Sequence, residues 1–107
     1  MILELSSTSY AFNSLYKLGA PMSFGTDAPV EDCNPFPNIY CAVTRQGLDG
    51  NPVGGFFPKE KMEIQDAIDV YTIGSAFNEF KESFKGRLKP GSVADLIVLA
   101  KNIFTIE

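Results

Sequence analysis

Pro21-Met22-Ser23-Phe24-Gly25-Thr26-Asp27-Ala28-Pro29-Val30-Glu31 decides how the chain is read. A short apolar run breaks at Gly25, and the carboxylate of Asp27 follows at once. The run has the length of a strand buried in a parallel sheet. An acid just past the C-terminal end of such a strand is placed for chemistry. It can act as a general base or ligate a metal, because hard cations and zinc both accept carboxylate oxygen. An Asp ahead of Ala-Pro is more often a cap or turn residue, and the local sequence leaves both readings open.

On the N-terminal side, Tyr10, Ala11, Phe12, Leu15, Tyr16 and Leu18 recur at helical spacing and Gly19 supplies a stop. The pattern predicts an amphipathic helix over 9–18, so the first unit is helix, tight turn, strand. On the C-terminal side, Asp32 to Pro37 reads as a loop and Ile39 to Val43 as a helix ending near Gln46-Gly47. Four glycines and two prolines between Gly47 and Lys61 make that stretch a long irregular loop, either a mobile lid or a plain connector. Ile64, Ala67, Ile68, Tyr71, Ile73, Ala76, Phe77 and Phe80 give a helix over 64–80. Gly74 inside it costs ~1 kcal/mol against alanine, which close approach of a neighbouring backbone would explain. Beyond it, Gly86-Arg87-Leu88, the turn Lys89-Pro90-Gly91-Ser92 and the apolar run from Ala94 to Leu99 read as two short strands. The chain thus divides into 1–80, helix and strand, and a β tail at 81–107.

At 107 residues the chain is one folding unit, too short for an α/β barrel of ~250 residues. Apolar residues make up 45% and aromatics 12%, the composition of a core-forming chain. The net charge is −4 and the nine basic residues form no stripe, which argues against a nucleic-acid partner. Glu82 interrupts the most basic stretch, Lys81 to Lys89, which reads as solvated surface. Met1 to Leu5 carries an acid and lacks a signal-peptide pattern, and no run approaches the ~20 apolar residues of a membrane span. Cys33 and Cys41 are not in CxxC spacing, so a cytoplasmic protein with reduced thiols is expected, a disulfide being the lesser alternative.

Histidine is absent, which removes the commonest general base and the commonest metal ligand. Two cysteines without histidine do not complete a tetrahedral zinc set. Asp95 reads as a turn acid at a strand start. No GxxxxGK[ST], GxGxxG or GxSxG pattern occurs, and Gly54-Gly55 leads into Phe56.

Four blocks taken in order, Phe24 to Glu31, Ile39 to Arg45, Ala67 to Ala76 and Gly86 to Leu99, resemble the amidohydrolase superfamily, most closely its family 3 branch of N-substituted formamide deformylase-like hydrolases. The resemblance covers residues 9 to 105. It implies a C-terminal fragment: the last helix-strand unit of a TIM-type (β/α)8 barrel, the helices that follow it, and the closing strands of a small β-sandwich. It implies that Asp27 is the acid after the eighth strand, contacting a divalent metal, zinc, and carrying a proton from water to the leaving nitrogen of an amide-like small molecule. The family's histidines and its bridging ligand have no counterpart here. The chain alone is therefore expected to be an inactive part of a hydrolase, to hold no metal tightly, and to self-associate through surfaces that lack neighbours. The alternative is a self-sufficient binding or regulatory module derived from the family.

Overall fold

A computed structural model of the chain describes residues 2–106. Along this span run α1 (Ile2–Ser7), α2 (Phe12–Lys17), α3 (Phe36–Thr44), α4 (Ile64–Asp69) and α5 (Ser75–Asn78), with a 3-10 turn at Pro58–Glu60. A π-helical segment, Val70–Gly74, joins α4 and α5 into one rod, so the expected helix over 64–80 is continuous to Asn78.

α2 lies within the expected span and stops as its sequence indicates. The Leu18 N–H bonds back to the Ser14 carbonyl at 3.1 Å, and Gly19 takes φ +81°. α3 begins at Phe36, earlier than Ile39, because Pro35 and Pro37 stand where a helix has no use for backbone N–H groups. The Asn34 side chain accepts the Phe36 N–H at 3.1 Å, and Arg45, at φ +59°, closes the helix. The stretch from Gly47 to Lys61 is irregular except for its 3-10 turn.

The β expectations are overturned. Among the described residues there is no strand, hence neither the last helix-strand unit of a TIM-type barrel nor the closing strands of a β-sandwich. The physical reason lies in pairing: a strand exists only against another strand, and these segments meet helix or solvent. Residues 21–25 run along the rod. The Phe24 and Tyr71 rings meet edge-on at 5.7 Å, and Asn78 Nδ2 donates to Ser23 Oγ at 2.6 Å. Between these contacts the chain presses so close that a Cβ on Gly74 would overlap the Met22 carbonyl oxygen, the backbone approach that the mid-helix glycine pointed to. The expected turn at 89–92 forms, with Ser92 N–H on the Lys89 carbonyl at 3.1 Å, but residues 94–99 beyond it take no regular structure and join no strand.

The core is small: Ile39, Met62, Ala67, Val70 and Ala76 are buried, and α3 packs on α4 of the rod. Lys17 and Asp66 join α2 to α4 at 3.0 Å. The radius of gyration is 15.1 Å, against ~13 Å for a finished domain of this length. The exposed area is 7936 Å², against ~5,900 Å² expected for a folded monomer of this mass. Much apolar surface therefore faces water, including Leu18, Phe80, Leu88 and Val98. Met1 and Glu107, the outer ends of the two sub-regions read from sequence, lie outside the described residues.

Candidate functional site

Past Gly25 the chain doubles back. The Val30 N–H bonds to the Asp27 carbonyl at 2.8 Å and the Glu31 N–H to that of Thr26 at 3.3 Å. Asp27 sits at φ +51°, in the left-handed region that Asp enters more readily than most residues. Its side chain is exposed. The sharp turn thus delivers the carboxylate to the surface at the end of the segment held against the rod.

Two further polar side chains converge there. Asn38, in the first turn of α3, donates to the Gly25 carbonyl at 3.1 Å and fixes the start of the turn. Tyr71, half-buried on the rod, has its phenol pKa pushed up by burial first; the neighbouring Asn38 amide opposes this, and the Asp27 charge adds to the rise. Its hydroxyl lies near Asn38 without completing a well-formed hydrogen bond. Sequence reasoning missed both. Tyr71 was absorbed into the apolar face of a helix, and Asn38 lay at the edge of a polar loop; no spacing pattern distinguishes either.

Beside this cluster is a cavity of about 310 Å³ walled by Phe12 and Phe24, with Cys41 and Arg45 on its α3 side. The rings of Tyr10, Phe12, Phe24 and Tyr71 contact in series, edge to face, at 5.9, 5.3 and 5.7 Å. Arg45 braces the wall: its Nε donates to the Phe56 carbonyl and its Nη1 to that of Tyr10, both at 2.9 Å. Cys33 and Cys41 are free and both exposed.

Among the described residues no three Cys, Asp or Glu side chains come together as a metal site would require. Zinc takes three or four protein ligands, and Asp27 offers one carboxylate. The residues present do not fit a metal centre. Chemically, the cluster offers an exposed proton acceptor and a high-pKa phenol beside an aromatic-walled hollow.

These 107 residues belong to the amidohydrolase family, whose model matches residues 4–107. Over 94 residues the chain is 35% identical to the Arabidopsis thaliana protein LONG AFTER FAR-RED 3, covering 88% of this chain and 16% of that one. It is 32% identical over 100 residues to the putative amidohydrolase YtcJ of Bacillus subtilis, covering 94% of this chain and 19% of that one. It is 27% identical over 93 residues to the N-substituted formamide deformylase of Arthrobacter pascens, covering 87% and 17% respectively. The chain therefore spans less than a fifth of the length of these relatives. No solved structure matches it. No helix among the described residues is long and apolar enough to cross a membrane.

Proposed function

We propose that these residues are the C-terminal part of a metal-dependent hydrolase that cleaves an amide-like carbon–nitrogen bond in a small molecule, and that their contribution to the chemistry is Asp27. The observation that carries this reading is the exposed Asp27 carboxylate on its left-handed turn, inside a family match that spans the chain. In this role Asp27 holds a proton taken from water and passes it to the departing nitrogen, a task within reach of an exposed carboxylate. Tyr71 and Asn38 border the position it acts from. A divalent metal, zinc, belongs to residues outside these 107, with Asp27 as its one contact from this chain. The isolated chain is inactive on this reading.

The relatives' names and lengths support it: one is a formamide deformylase, and each is more than five times as long as the matched segment. Residues 1–80 then carry the site and 81–107 form a separate sub-region. The surface area in excess of a finished domain suits a part that has lost its neighbours and self-associates when alone. A cytoplasmic location is part of this reading, supported by two cysteines that lie outside CxxC spacing.

The test replaces Asp27 with asparagine in the uninterrupted reading frame that contains these residues and measures amide hydrolysis. Loss of ~10²–10⁴-fold in kcat with an unchanged circular dichroism spectrum is expected. Unchanged turnover would overturn the assignment and favour the non-catalytic module.

A further inference from the structure

Asp27 rides on a loop that one side chain closes at its base. Residues 25–38 leave the segment held on the rod and return into α3, whose first turn carries Asn38; the Asn38 Nδ2 donates across the base to the Gly25 carbonyl at 3.1 Å. Inside the loop the Val30 and Glu31 N–H groups take the Asp27 and Thr26 carbonyls. Two side-chain turns then lead into α3: the Asp32 carboxylate accepts the Asn34 N–H at 2.8 Å, and the Asn34 side chain accepts the Phe36 N–H at 3.1 Å. A loop of this length with its ends joined is a compact unit. Gly25 is where those ends meet, and the acid rests there too, since a Cβ built on Gly25 would stand 3.6 Å from Asp27 Oδ1. The carboxylate thus folds back over the residue whose carbonyl Asn38 holds.

We propose that Asn38 is the positioning residue for Asp27, fixing the acid by tethering Gly25 to α3; the proposal rests on the hydrolytic role given to Asp27 above. Upstream of Gly25, the rod restrains the chain through the Ser23–Asn78 hydrogen bond and the Phe24–Tyr71 ring contact. Asn38 restrains it from the other side. Without that tether, residues 26–31 keep their internal hydrogen bonds but pivot at Gly25, whose backbone is the freest of any residue type. A proton carrier has to lie within ~3 Å of the atoms it serves, and ~1 Å of misplacement can cost ~10²-fold in rate. The contact requires a donor, because it faces a carbonyl oxygen, and the asparagine amide nitrogen supplies one. Tyr71 backs the arrangement, with its hydroxyl beside the Asn38 amide and its ring against Phe24.

Asn38→Leu, in the uninterrupted reading frame that contains these residues, tests the role. Leucine is close to asparagine in size and favours helix more, so α3 is kept. With para-nitroacetanilide as the probe amide, kcat is expected to fall roughly tenfold while KM stays within about twofold. In an Asp27→Asn background the same change is expected to lower kcat no further, because Asn38 acts only through the acid. Amide hydrogen exchange, which needs no substrate, is expected to quicken roughly fivefold at Val30 and Glu31 and to stay unchanged in α3 and the rod. Full turnover in Asp27→Asn would overturn the hydrolytic role and this proposal together. Loss of turnover in Asp27→Asn with none in Asn38→Leu would overturn this proposal alone. So would an equal further loss in the double variant, or unchanged exchange at Val30 and Glu31.

Discussion

The carboxylate of Glu60 accepts two hydrogen bonds from Ser14, one from the backbone N–H at 2.9 Å and one from the hydroxyl at 2.5 Å. α2 has no side-chain cap of its own, and Ser14 lies in its first turn, where backbone N–H groups lack intrahelical partners. Glu60, 46 residues further along, supplies the missing acceptor from the 3-10 turn and sets a negative charge at the helix's positive end. Because Glu60 is buried, removing it leaves these donors unsatisfied. Glu60→Ala is expected to cost about 2 kcal/mol, read from urea unfolding.

The same contact fixes a pH dependence. The Ser14 hydroxyl, then its N–H, hold the Glu60 carboxyl below its ordinary value of 4.5, and the Arg45 charge adds to this. A lowered folded-state pKa means that the stabilisation is complete above the unfolded value and is lost as pH falls through the folded one. Melting temperature should therefore drop below about pH 4.5 in the unmodified chain, and the drop should be smaller in Glu60→Gln. Equal acid sensitivity in both proteins would contradict the capping role.

Gly74→Ala separates a helical position from a packed one. In an exposed helix the change would gain ~1 kcal/mol of stability. Here the added Cβ overlaps the Met22 carbonyl oxygen, so the segment that leads to Asp27 must shift. A net loss of about 1–3 kcal/mol is expected in thermal or urea unfolding. A stabilised variant would show that residues 21–24 do not lie against the rod.

Cys33 and Cys41 are both free and exposed. Two thiols per chain should react with a chromogenic disulfide reagent without denaturant, at similar rates. Reaction of neither until a reductant is added would show them joined.

The helices were largely legible in the sequence because period 3.6 is a local signal: Phe12 to Lys17 and Ile64 to Asn78 fall where their apolar residues recur. Gly74 was legible for a subtler reason, since a glycine in a strong helix implies a close neighbour. The strands failed because an apolar run such as residues 94–99 states only that a chain can extend, while pairing depends on a partner the run does not encode. Of the candidate site, Asp27 could be read because a turn sequence flanks it. Asn38 and Tyr71 could not, since each reaches it through tertiary packing, from α3 and from the rod. Glu60 was hidden likewise: its partner Ser14 is 46 residues away.

The central claim is that this chain carries one acid of a hydrolase site and not the remainder. Elemental analysis of the purified chain after equilibration with zinc, run alongside an assay on simple amides, tests it most directly. The expected result is far less than one zinc per chain and no turnover, because Asp27 alone cannot complete a coordination shell. One tightly held zinc per chain, lost together with amide hydrolysis in Asp27→Asn, would contradict it.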